Sequence, residues 1–105
     1  MIGRLDEVVI DCHDASRLAE FWLGVLGGHV VRQSHEWVAL HPPHGITVSF
    51  QVVPEPKTVK NRVHLDMRPT GRTRDQEVEW LLENGATLIA DRRGMIEMCV
   101  EPCLP

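Results

Sequence analysis

Val8-Val9-Ile10-Asp11 and Val63-His64-Leu65-Asp66 are the two stretches whose reading decides the fold. The first opens a strand that places Glu7, Val9 and Asp11 on one face and Val8, Ile10 and Cys12 on the other. Asp14 and Ser16 then supply N-cap chemistry. Leu18, Phe21, Trp22, Val25 and Leu26 recur at helical spacing, and Gly27-Gly28 closes that amphipathic helix. Three strands are expected next, over residues 29–33, 36–41 and 46–53. They are separated by Ser34-His35 and by Pro42-Pro43-His44-Gly45.

Working outward, the second stretch starts the same series again. Pro54-Glu55-Pro56-Lys57 interrupts the sheet pattern as a linker, and residues 62–68 read as a strand. Thr73 and Gln76 have the spacing of a capping box, and Val78, Leu81 and Leu82 give a shorter apolar stripe ending at Asn84-Gly85. Strands are expected over 86–90 and, after Asp91-Arg92-Arg93-Gly94, over 95–101. Asp11 and Asp66 are 55 residues apart and Gly28 and Gly85 are 57 apart. Two copies of strand–helix–strands imply a duplicated α+β domain with one sheet made from both halves. The chain is read as a single domain over 1–105, with module one at about 1–53, a linker at 54–61 and module two at about 62–105. Only 20 residues follow Gly85, which at ~5–6 residues per strand leaves room for two strands and a tail. The second module is therefore expected to be shortened.

Composition sets the outer bounds. A chain of 105 residues, 43% apolar and 25% charged, with 8 Gly and 7 Pro, is neither disordered, collagenous nor coiled-coil. It contains no apolar run of the ~18–20 residues that a bilayer-spanning helix needs. The acidic pair Asp6-Glu7 stands where a signal peptide would carry its apolar stretch. A net charge of −4 argues against nucleic acid or an anionic membrane as partner. Cys12, Cys99 and Cys103 are too few, and odd in number, for a disulfide framework, so a reduced, cytoplasmic setting is expected.

Six pieces in register carry a resemblance. Asp11-Cys12-His13-Asp14, Leu18-Ala19-Glu20-Phe21-Trp22, Leu26-Gly27-Gly28, Phe50-Gln51-Val52-Val53-Pro54, Lys60-Asn61-Arg62-Val63-His64-Leu65-Asp66 and Asn84-Gly85-Ala86 together resemble a glyoxalase-like domain. That domain belongs to the vicinal oxygen chelate superfamily, with glyoxalase I, the bleomycin-resistance proteins and the extradiol dioxygenases. The resemblance implies two βαβββ-type modules forming one curled mixed sheet, a cup, and frequent homodimers in some of which the cup is shared. It also implies a divalent metal (Zn, Ni, Mn or Fe) held by side chains from four strands, acting as a Lewis acid on a substrate with vicinal oxygens.

The resemblance places His64 at the ligand position that opens the second module, and Gln51 at the position in the last strand of module one. For the first strand, counting back from Asp14 selects Glu7, whereas the internal repeat selects Val9. For the last strand, counting from Gly94 selects Met98, and allowing one extra residue selects Cys99; Glu97 lies on the wrong parity. The implied metal set is His64, Gln51 and Glu7. The same residues with Trp37, an aromatic on a central strand, form the expected substrate-binding set. Asp11 and Asp66 end strands before turns, where Asp caps backbone amides.

Other residues look chemical without the support they need. His41 and His44 have metal-like spacing, but the two prolines between them splay the flanking side chains. Cys99 and Cys103 flank Pro102 close to the end of the sequence. Cys12 and His13 are adjacent on a strand and should point to opposite faces, so no nucleophile–base pair is expected. Trp22 and Trp80 read as core or interface residues. Three functions follow from the resemblance. The leading one is a glyoxalase-like domain that binds a small organic molecule in a cup on its sheet, either without turnover or as an enzyme without a metal. The second is a metal-dependent lyase, isomerase or dioxygenase, and the third is a structural dimer module with a filled cup.

Overall fold

The computed structural model describes residues 1–92 and 95–99, with side chains left undescribed at 92, 95–97 and 99. The chain divides into two compact units, Met1–Pro56 and Lys57–Pro105. The fold class is α+β, as expected.

Unit one is a βαβββ module. Strand β1 (Glu7–Cys12) leads to helix α1 (Ala15–Leu26), then to β2 (His29–Gln33), β3 (Trp37–His41) and β4 (Thr47–Val52). The sheet order is β1-β4-β3-β2, with β1 parallel to β4 and the other neighbours antiparallel. Asp14 caps α1 by accepting the Arg17 N–H at 3.1 Å. Ala15, Leu18, Ala19 and Phe21 are buried on the helix, and Val38, Leu40, Val48, Phe50 and Cys12 are buried on the sheet. Those sheet residues share one face, so α1 covers that face and the core lies between the two layers. Phe50 and Leu40 are fully buried, and burial of each such side chain contributes roughly 1.5–3 kcal/mol.

Gly28 is a fixed point of this packing. Its φ is +85°, and a Cβ built there would stand 2.1 Å from the His41 carbonyl oxygen and 2.7 Å from Pro42 Cα. Only glycine lets the chain pass this close at that backbone angle.

Unit two contains helix α2 (Arg74–Glu83), β5 (Thr87–Arg92) and β6 (Met95–Cys99), the last two paired antiparallel as a separate two-stranded sheet. The capping box is formed as expected: the Thr73 hydroxyl accepts the Gln76 N–H at 3.2 Å, and Gln76 Oε1 accepts the Thr73 N–H at 3.0 Å. Residues 62–68, expected as a strand, are irregular. A strand persists only where a neighbour takes its backbone hydrogen bonds, and the ladder of this unit runs between β5 and β6. Among the described residues the strands are hydrogen-bonded as a four-stranded mixed sheet in unit one and a two-stranded ladder in unit two. Among the described residues the second half supplies two strands after Gly85, β5 and β6. No described helix is long and apolar enough to cross a membrane.

Candidate functional site on the open sheet face

The register of β1, β4 and β3 sorts their side chains by face. Val8, Ile10, Cys12, Val48, Phe50, Val38 and Leu40 share the face that α1 covers. The opposite face, which α1 leaves open, carries Glu7, Val9 and Asp11 from β1, Thr47, Ser49 and Gln51 from β4, and Trp37, Ala39 and His41 from β3, with Ala39 and Ser49 buried at its centre. Directly across the strands, Asp11 partners Gln51 and Gln51 partners Trp37. These three form one row, with Asp11 and Gln51 exposed and Trp37 half-buried.

Arg32 joins this row from β2. Its guanidinium carbon lies 5.4 Å from the Trp37 ring centroid, a cation–π contact worth ~0.5–1 kcal/mol at an exposed position. Sequence reasoning missed Arg32 because strict alternation would put it on the face of Val30. The register between β2 and β3 shifts by one between Val30 and Arg32, a bulge that moves Arg32 opposite Ala39 and onto the open face.

Of the expected substrate-binding residues, Gln51 and Trp37 are therefore direct neighbours. Glu7 and Val9, the two readings of the first-strand position, both lie on the open face. Glu7 partners Thr47, however, four residues along β4 from Gln51. At about 3.3 Å per residue this is about 13 Å. One ion with bonds of about 2.0–2.2 Å needs its donors within about 4 Å of one another. Glu7 and Gln51 do not fit a common ion in this register; the first-strand residue facing Gln51 is Asp11. The Glu7 Oε1 and Ser49 Oγ atoms are buried without a hydrogen-bond partner among the described residues.

His64 belongs to unit two and lies in the irregular 61–70 segment, exposed to solvent. Its Nε2 is 3.1 Å from Lys60 Nζ and 3.2 Å from the Asn61 carbonyl oxygen. Among the described residues no three His, Cys, Asp or Glu side chains gather as a metal-ion set. Of the last-strand readings, Met98 is half-buried, whereas the Cys99 and Glu97 side chains and the Gly94 turn lie outside the described residues, as does Cys103.

The expected divergence of Cys12 and His13 holds. The Cys12 thiol is buried and donates to the Gln51 carbonyl oxygen at 3.6 Å, while the exposed His13 ring has Nε2 3.0 Å from the Glu55 carbonyl oxygen. Trp22 stacks edge-on with Phe21 at 5.6 Å between ring centroids. A recess of about 250 Å³ between α1 and the β2 side is lined by Ser16, Glu20, Leu23, Val30 and Gln33 among others, on the helix-covered side of the sheet. A second, of about 210 Å³, lies along α2 beside Trp80 and Gln76.

A βαβββ module with its helix on one face and a polar row on the other, followed by a second helix and a two-stranded ladder, defines a class of small α+β sheet domain. A family model described as "Glyoxalase-like domain" matches residues 7–102, and the chain belongs to that family, consistent with the vicinal oxygen chelate superfamily. No curated protein matches the chain.

Proposed function

We propose that this glyoxalase-like domain binds a small organic molecule on the open face of its four-stranded sheet, without turnover. The observation that carries the reading is the row Asp11, Gln51, Trp37 on adjacent strands, extended by Arg32 over the Trp37 ring. Trp37 offers apolar ring area, and the Gln51 amide offers both donors and an acceptor. A large aromatic surface with a few convergent polar groups is the chemistry of small-molecule recognition. Ligands with a planar ring and neighbouring oxygens suit this row. The test is a panel of small aromatic and vicinally oxygenated compounds, catechol first, followed by tryptophan fluorescence in wild type and Trp37→Ala. Saturable changes that disappear in Trp37→Ala are expected, and no response from any compound would oppose the reading.

The metal-dependent lyase, isomerase or dioxygenase reading requires His64, Gln51 and Glu7 around one ion, and the spacing of Glu7 from Gln51 weighs against it. Metal analysis of protein purified without chelator discriminates the two. Stoichiometric Zn, Ni, Mn or Fe that is lost in His64→Ala would favour the enzyme.

The protein is further proposed to form a two-fold homodimer. Val59, Val63, Met67, Leu82 and Leu88 are exposed in unit two, and a second copy is the simplest cover for them. A monomer by light scattering at micromolar concentration would contradict this. The third reading, a structural dimer module, predicts that dimerisation proceeds while no compound of the panel binds. The three cysteines fit a reduced, cytoplasmic protein, checked by titrating three thiols in the unfolded chain.

A further inference from the structure

We propose that His29 and His41 form a two-imidazole site for a divalent late-transition ion such as Zn²⁺, at the end of the open face away from Trp37 and Gln51. The residues differ from His64, Gln51 and Glu7, so the site stands apart from the ion that the family resemblance implies. His29 opens β2 and His41 closes β3, and the two are direct cross-strand partners. Both side chains are exposed, and their ring centroids lie 5.9 Å apart at an interplanar angle of 66°. Two imidazoles sharing a tetrahedral ion at about 2.0–2.1 Å have centroids about 5 Å apart. The observed centroid separation lies within about an ångström of that distance.

Two features prepare the pair. His41 Nδ1 lies 3.3 Å from the Thr47 hydroxyl oxygen on the neighbouring strand. In the tautomer where Nδ1–H donates to that hydroxyl, Nε2 keeps its lone pair and the ring is held from behind, as metal-ligating histidines generally are. Gly28, immediately before His29, passes against the His41 carbonyl and Pro42 at a distance that no side chain permits. The two histidines are thus brought together by the backbone and not by a flexible loop. Imidazole pairs select Zn²⁺, Ni²⁺ or Cu²⁺ over Mg²⁺ or Ca²⁺, and two protein ligands leave the other positions to water or to a ligand's own donors. The ion held here is exchangeable.

The sequence sets His29 and His41 twelve residues apart, with His44 the nearer neighbour in the chain, so spacing alone points to the wrong partner. Only the β2–β3 register selects His29.

The experiment is calorimetric titration of the full chain with Zn²⁺ alone, with histidine ring NMR signals followed in parallel. His29→Ala and His41→Ala should each raise the Kd tenfold or more, and Thr47→Val should raise it by up to about tenfold, whereas Thr47→Ser should retain it. His64→Ala should leave the Kd unchanged. His29, His41 and Thr47 lie on the sheet face away from α1 and His64 is exposed on an irregular segment, and unchanged circular dichroism melts would confirm folding. An unchanged Kd in either histidine variant overturns the proposal, as does an equal loss in His64→Ala. Neither result bears on ligand binding at Trp37 and Gln51, which is read with metal-free protein.

Discussion

The two halves of the chain carry the same pattern and fold to different depths. Val8-Val9-Ile10-Asp11 becomes part of a strand paired with β4 in the four-stranded sheet, whereas Val63-His64-Leu65-Asp66 stays irregular. The helices differ in the same sense. Helix α1 buries Ala15, Leu18, Ala19 and Phe21, while α2 buries none of its residues despite its complete capping box. Local signals start and stop both helices equally well. They differ in the apolar face each helix offers, broad in α1 and narrow in the charged α2, and in the strands beside it: four in unit one, against two described in unit two. Helical stability in proteins comes mostly from such packing and little from caps or propensity.

Paired substitutions turn this comparison into measurements. The largest contrast should come from Phe50→Ala and Leu82→Ala. Phe50 is fully buried, so its loss should destabilise unit one by about 3–5 kcal/mol. Leu82 is 46% exposed, so its loss should cost under ~1 kcal/mol. Urea unfolding followed by circular dichroism measures both, and equal costs would mean that unit two has a core of its own.

The repeat's equivalent glycines give the next contrast. Gly28→Ala introduces both a positive-φ strain and a clash with the His41 carbonyl, together about 2–4 kcal/mol. Gly85 has φ +105° but nothing within 4 Å of the added Cβ. Gly85→Ala should cost only the backbone term, about 1–2 kcal/mol. A Tm shift for Gly85→Ala as large as for Gly28→Ala would remove the distinction.

The smallest contrast concerns the caps. Asp14→Ala and Thr73→Ala should each cost about 1 kcal/mol. In unit one that loss is shared across the packed module, so amide hydrogen exchange should quicken in α1 and in the strands beneath it. In unit two the change should stay within the first turns of α2. Exchange spreading beyond α2 in Thr73→Ala would show cooperativity that the packing does not suggest.

These contrasts also explain how much could be read from the amino acids. The helical spacing of Leu18, Phe21, Trp22, Val25 and Leu26, the caps at Asp14 and Thr73, and the strand bounds near β2, β3 and β4 are local features, and local chemistry determines them. What escaped the sequence was decided by neighbours. Residues 62–68 have strand-like alternation but no strand pairing, and Arg32 reaches Trp37 only through a bulge. Glu7 was separated from Gln51 by the parallel register of β1 on β4, which no count along the chain contains.

The proposed ligand-binding row is Asp11, Gln51 and Trp37 of unit one. The most direct measurement is a ¹H–¹⁵N NMR titration of metal-free protein with catechol, following the Trp37 indole N–H and the Gln51 side-chain amide. The account predicts that both signals shift together and saturate, that Trp37→Ala abolishes the shift at Gln51, and that His64→Ala does not. Shifts that require added metal and vanish in His64→Ala, with the Trp37 indole unmoved, would contradict it.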